Sequence, residues 1–257
     1  MKPERACETY ELAPGVVALA PAVAWLPVSR TLIAADAHLG YEDVVGGALP
    51  LWSTTEVLAT LTLLTRRVTA REIVFLGDVV HAARMNDGAA REIVRGLEAL
   101  RTEAILTFVA GNHEGRTRAS AILGESVEEA QRDGWLLVHG DRPSHAGLRT
   151  IIGHLHPSLR LRGGATVPAF IGSPRLIVVP ALTPYSSGLD VLSGDCARAI
   201  SAWAARAHDA HVVAAYGERL YPFGSLARLR AMLQEQTPQM GRRGGYRGRA
   251  LRPDPYQ

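Results

Sequence analysis

Short apolar runs that end on polar, ligand-type residues dominate the hydrophobic pattern. Ile73 to Leu76 is four consecutive apolar residues rich in β-branched and aromatic types; it reads as a buried strand that Gly77 ends and Asp78 tips with a carboxylate. Leu32 to Ala35 runs in the same way into Asp36 and His38, and Ile105 to Ala110 into Gly111, Asn112, His113 and Glu114. Trp135 to Val138 runs into His139, and Thr150 to Ile152 into Gly153, His154, Leu155 and His156. Between the first runs the period becomes helical. Thr54 or Thr55, with Glu56, opens a stripe of Val57, Leu58, Leu61, Leu64 and Val68, and a second helix over roughly 87–100 carries Ile93, Val94, Leu97 and Leu100 on one face. Strand, helix, strand, helix, strand is a βαβ series and predicts a mainly parallel sheet, with one or two edge strands from residues 16–28.

From Trp135 onward the rhythm changes. Strands over 135–139, 150–153, 169–172, 176–179 and 212–216 are joined by turns containing Gly or Pro, which predicts a second, more antiparallel sheet. Helices are expected over 195–207 and 225–234. The predicted fold is therefore α/β, a two-sheet β-sandwich flanked by helices, with residues 1–238 as one domain and 239–257 as a tail. Ligand sites in open α/β sheets lie at the carboxyl ends of strands, so the five polar strand ends converge on one rim.

Composition changes this picture at the chain's end. The body is ordinary for a soluble globular protein, 47% hydrophobic and 21% charged. No apolar run approaches the roughly 18 residues of a membrane span. The apolar patch of residues 16–28 is preceded by Glu4, Glu8 and Glu11 and interrupted by prolines, so it reads as strands and not as a signal peptide. Cys7 and Cys196 form no CxxC pair, which fits reduced thiols in a cytoplasmic protein. Of the net charge of +3, the last stretch supplies more than all: Arg242, Arg243, Arg247, Arg249 and Arg252 face only Asp254. This Arg/Gly-rich tail is too poor in apolar groups to order itself. It reads either as a phosphate-backbone tether or as a solubilising end.

The chemistry resides in Asp36, His38, Asp78, Asn112, His139, His154 and His156, a mixed oxygen and nitrogen set of the kind that binds Mn, Fe, Co or Zn. Seven ligands exceed one tetrahedral zinc. They suit two metals about 3.5 to 4 Å apart sharing a carboxylate, the arrangement used for in-line displacement at phosphorus. His81 could reach the substrate side or be an ordinary polar residue at a strand-to-helix junction. His145, His208 and His211 stand outside any motif. Arg116, Arg118 and Arg142 could bind phosphates or be solvated.

The ordered blocks Asp36-Ala37-His38, Gly77-Asp78, Gly111-Asn112-His113-Glu114, His139 and Gly153-His154-Leu155-His156 resemble the calcineurin-like binuclear metallophosphoesterases. The resemblance implies one metal on Asp36, His38, Asp78 and His156, and another on Asp78, Asn112, His139 and His154, with Asp78 bridging. It implies that His113 is catalytic, bonding the phosphoryl group or protonating the leaving oxygen. Glu114 would orient His113 or cap the next segment. The block from Ala35 to Glu42, with Ala37 where that branch has Leu, is similar to the ICC-like branch, as are His139-Gly140-Asp141 and Pro180-Ala181. Bacterial members of that branch are associated with DNA ligases and Lhr-type helicases and act as manganese-dependent DNA endonucleases or phosphodiesterases. The expectation is a Mn-dependent phosphodiesterase acting on single-stranded DNA in repair. The alternative is a small-molecule phosphoesterase acting on nucleotides or cyclic nucleotides. Aromatic content is low, 6%, and no base-stacking platform is discernible in the sequence.

Overall fold

The computed structural model describes residues 8–45, 51–81, 85–112, 118–143, 147–161, 163–186, 188–203 and 209–236. Cys7, His113, Glu114, Arg116, His145, His208 and the Arg-rich tail lie outside them. Strands β1 (Thr9–Ala13), β2 (Val16–Leu19), β3 (Val23–Leu26) and β4 (Thr31–Ala34) come first, then α1 (Tyr41–Val45), α2 (Trp52–Val68), β5 (Glu72–Leu76), α3 (Asp87–Glu103) and β6 (Ile105–Val109). They are followed by α4 (Arg118–Leu123), β7 (Ala130–Arg132), β8 (Trp135–Val138), β9 (Thr150–Ile152), β10 (Pro157–Arg160), β11 (Thr166–Gly172) and β12 (Leu176–Val178). The described chain closes with β13 (Leu189–Asp190), α5 (Gly194–Ser201), β14 (His211–Tyr216), β15 (Arg219–Ser225) and α6 (Leu226–Gln236).

Among the described residues, six strands form one sheet in the order β1-β2-β3-β4-β5-β6. Only β4, β5 and β6 run parallel, and β1 to β4 form an antiparallel meander. The expectation of a mainly parallel sheet is corrected here for a simple reason. Links of a few residues between β1 and β4 cannot make a parallel crossover, which needs a dozen or more, whereas α2 and α3 supply such crossovers. Residues 16–28 are not edge strands, because β1 covers them. Its pattern was too polar to read, since only Leu12 and Ala13 are buried in it. The second sheet is mixed, in the order β13-β10-β11-β12-β9-β8-β7, with β14 on β11 and β15 on β14. Strand β9 runs parallel to both β8 and β12, while β11 is antiparallel to β10, β12 and β14.

The strands read as unbroken apolar runs because both faces are covered. Alternation splits each run between layers. Leu32, Ile73 and Phe75 pack outward under α2 and α3 with Leu61, Ile93 and Leu97. Ile33, Val74 and Leu76 pack inward against Leu137, Ile151, Phe170, Ile177 and Val213 of the second sheet. Ile152, Val178 and Val212 face α5 and α6 through Ile200, Trp203 and Leu229. The layers are helix, sheet, sheet, helix, as expected.

Helix α2 begins at Trp52, two residues before the expected Thr54 or Thr55, and has no side-chain cap at Leu51. Its free N–H groups are served from another segment: Glu42 accepts from both the backbone N–H and the hydroxyl of Ser53. Thr54 instead accepts from the Gly40 N–H at 2.8 Å, and Thr55 donates to the Leu51 carbonyl. Helix α3 begins at its Asn86 cap, close to the expected start. Helix α5 ends at Ser201, and residues 204–207 of the expected helix lie outside the described residues.

One polar group ties the sheets together. Glu72, on β5, accepts a bidentate pair from Arg132, on β7, with both bonds at 2.7 Å. It also accepts from Thr107 and Thr31. Burial pushes the Glu72 carboxyl up, but these hydrogen bonds and the Arg132 charge outweigh burial and leave it below its ordinary value. A lowered carboxyl stabilises the fold above its unfolded pKa and loses that contribution as pH falls. Arg132→Ala is expected to cost about 2 kcal/mol at neutral pH, less than a fully buried pair because Arg132 is partly exposed. In urea titrations from pH 7 to pH 3 the variant should also lose less stability on acidification than the wild type. Equal acid sensitivity would remove the clamp.

Candidate metal centre

Strand ends from both sheets deliver the side chains of this site. Beyond β4 lie Asp36 and His38, beyond β5 Asp78, beyond β6 Asn112, beyond β8 His139, and beyond β9 His154 and His156. The segments are locked to one another: the His38 N–H donates to the Asp78 carbonyl at 3.0 Å, and the Leu39 N–H to the Val79 carbonyl at 2.7 Å. The Gly40–Thr54 and Glu42–Ser53 bonds fasten the rest of that loop to the start of α2.

Three glycines make the convergence possible. A Cβ on Gly111 would stand 2.3 Å from the backbone nitrogen and Oδ1 of Asp78, and one on Gly77 2.4 Å from Nδ1 of His139. One on Gly153 would stand 2.7 Å from Oδ2 of Asp36. The backbone is strained at the same places. Asp36, His38, Asp78, His154 and His156 all have φ between +42° and +60°, a region that costs a non-glycine residue on the order of 1 kcal/mol or more. Packing that holds five such residues in place overrides local preference.

The donor atoms gather into two groups. Asp36, His38 and His156 each offer one atom within 4.8 Å of the others, and so do Asp78, His139 and His154. The groups adjoin, since Nδ1 of His139 is 3.9 Å from Oδ1 of Asp36 and the His154 N–H donates to Oδ2 of Asp36 at 2.8 Å. His139 is the clearest case of orientation. Its Nδ1 lies 2.8 Å from the Leu76 carbonyl, which can only accept, so Nδ1 carries the proton and Nε2 presents a lone pair. Around that lone pair stand Asn112 Oδ1 at 2.8 Å, His154 Nδ1 at 3.1 Å and Asp78 Oδ2 at 3.5 Å.

In the other group Oδ1 of Asp36 is buried with no hydrogen-bond donor in good geometry; Nε2 of His156 stands 3.1 Å from it. His156 is held from behind by Ser186, whose hydroxyl lies 2.7 Å from Nδ1. Burial lowers both His154 and His156. His154 stays below its ordinary value, with positive charge on His139 acting in the same direction as burial, whereas the close approach of the Asp36 carboxylate and the charge of Asp78 raise His156 above it.

These residues fit divalent cations. An orphaned buried carboxylate oxygen and a ring of acceptor atoms about 3 Å apart are costly when bare. They match the spacing of oxygen and nitrogen ligands that share one ion.

All seven ligand candidates read from the sequence therefore come together: Asp36, His38, Asp78, Asn112, His139, His154 and His156. His113 lies outside the described residues. His81 is beside the site, its Nδ1 3.1 Å from Nδ1 of His38. Arg142 is 91% exposed, with its Nε 3.5 Å from Asp141, which matches the solvated reading. Ser186, Tyr41 and Tyr185 were missed. Tyr41 sits inside the block after His38, but no spacing rule connects Tyr185 and Ser186 to residues some 150 positions earlier. Two cavities flank the centre. One of about 240 Å³ borders His38 and His156, and one of about 500 Å³ borders Asn112 and His139 and is walled by Glu128, Glu129 and Asp141.

No family model matches the chain, and no curated protein matches it. Among solved structures, the nuclease MPE of Pseudomonas putida superposes with a TM-score of 0.63 at 23% identity, covering 81% of this chain and 94% of that one. The phosphoesterase Yfce of E. coli gives a TM-score of 0.40 at 16% identity, covering 62% of this chain and 83% of that one. The first likeness is one of fold.

Stripping the protein with a chelator should lower its melting temperature, and resupplied Mn should restore it; at a hundredfold excess over Kd the gain is about 2.7 kcal/mol. Gly111→Ala should keep the far-ultraviolet spectrum of the wild type but bind less metal by elemental analysis, because its Cβ displaces Asp78. Full metal content in that variant would contradict the packing argument.

Proposed function

We propose that this chain is a binuclear metal-dependent phosphodiesterase acting on nucleic acid, with Mn as the metal and single-stranded DNA as the substrate cut internally in a repair context. The observation that carries the reading is the meeting of two donor groups across Asp36, Asp78 and His139, each built of carboxylate and imidazole. One metal would be held by Asp36, His38, Asp78 and His156, and the other by Asp78, Asn112, His139 and His154. Bound there, two divalent cations supply Lewis acidity toward phosphoryl oxygens and a hydroxide nucleophile near neutral pH. Thiolates are absent from the described set, which disfavours a purely structural zinc site.

The chain's own residues set the stage for that chemistry. Leu76 fixes the tautomer of His139, and Ser186 aims His156 at Asp36. The Leu76 bond keeps the His139 lone pair turned inward before any ion arrives and the Ser186 bond holds the His156 ring in place, so less reorganisation accompanies binding. His113 follows Asn112 directly, and its proposed role is to bond the phosphoryl group or protonate the leaving oxygen. The likeness in fold to a nuclease supports a nucleic-acid substrate, and the Arg-rich tail is compatible with a phosphate tether.

The test is nicking of closed circular single-stranded DNA by metal-stripped protein resupplied with Mn. Nicking is expected from the wild type and loss of most turnover from His113→Ala with metal content retained, while Asp78→Ala should lose both. Turnover of mononucleotides with intact circles would replace this reading with a small-molecule phosphoesterase.

A further inference from the structure

The cavity of about 240 Å³ beside the Asp36, His38 and His156 group is walled by aromatic rings. Tyr41 and Tyr185 stack nearly parallel, with centroids 5.0 Å apart and planes 19° from parallel. His81 packs edge-on to Tyr41 at 4.7 Å and also contacts His38. Tyr185 is 46% exposed, so about half of the residue stays accessible beside Tyr41. Among the described residues the lining holds no carboxylate, ammonium or guanidinium. Imidazoles and the hydroxyls of Tyr41, Tyr185, Thr183 and Ser186 are its polar groups.

We propose that this shelf is a nucleobase subsite, in which the base next to the scissile phosphate stacks against the exposed part of Tyr185, backed by Tyr41 and His81. It rests on the reading of the centre as a nucleic-acid phosphodiesterase. Three observations select the occupant. The volume, just under the roughly 300 Å³ of small-ligand pockets, is room for one flat ring with its sugar and phosphate reaching out of it. The aromatic wall offers π-faces for stacking, and base-on-aromatic stacking is tolerant of sequence. The cavity shares His38 and His156 with the donor group, so a base seated there leaves its phosphate at the centre. The opposite cavity sets Glu128, Glu129 and Asp141 against Arg142 alone, a net negative lining that favours phosphates on the tyrosine side.

The experiment is calorimetric binding of thymidine 5′-phosphorothioate and of the base-free 2-deoxyribose 5-phosphorothioate to the full-length manganese-loaded protein. The wild type is expected to bind the thymidine ligand roughly tenfold or more tightly. Tyr185→Ala should lower affinity for it to that of the base-free ligand while leaving the base-free affinity unchanged, and Tyr185→Phe should retain the preference. Equal affinities in the wild type, or an equal loss for both ligands in Tyr185→Ala, would overturn the subsite. Hydrolysis of phosphodiesters, assayed separately, reports on the centre itself. Base preference without hydrolysis would leave the subsite standing and refute the phosphodiesterase reading, and hydrolysis without base preference would do the reverse.

Discussion

Crowded lone pairs are the constraint on which the rest of this structure depends. Within a few ångströms the fold brings Nε2 of His139 against Asn112, His154 and Asp78, and places Oδ1 of Asp36 in a buried position without a donor. Bare, such an arrangement is repulsive and poorly solvated; with divalent cations it is satisfied. Much of the surrounding architecture serves to hold it in place. Parallel strands aim their ends at it, glycines make room where a Cβ would strike a candidate ligand, and five candidate ligands sit at positive φ.

Most of the donor set was legible before the fold was known, because each ligand follows an apolar run closely and a strand end is a local feature. Asp78 after Ile73 to Gly77 and the pair His154 and His156 after Gly153 are of this kind. The tyrosine shelf was not legible. Tyr41 and Tyr185 are separated by most of the domain, and a total aromatic content of 6% conceals that two of the rings meet beside His38. Low abundance says nothing about concentration at one place. No stacking platform was discernible in the sequence because the cluster of Tyr41, Tyr185 and His81 is one that only tertiary packing creates.

Fold errors have equally physical causes. The alternation of β1 is masked by its polar first residues, so the strands after it seemed to lie at an edge. The meander from β1 to β4 has links too short for crossovers, which a count of strands and helices does not register but link length does. Helix α2 starts earlier than its threonines suggested because Glu42, from another segment, serves its first turn, and Thr54 is engaged by Gly40. In each case a contact distant in sequence overrode a local signal. The Glu72 and Arg132 pair works in the same way, joining β5 of one sheet to β7 of the other.

The most direct measurement is anomalous diffraction from crystals of the full chain soaked in Mn. Two peaks about 3.5 to 4 Å apart, one bounded by Asp36, His38 and His156 and the other by Asn112, His139 and His154 with Asp78 between them, are expected. A single peak, or ions bound away from these residues, would contradict a binuclear centre.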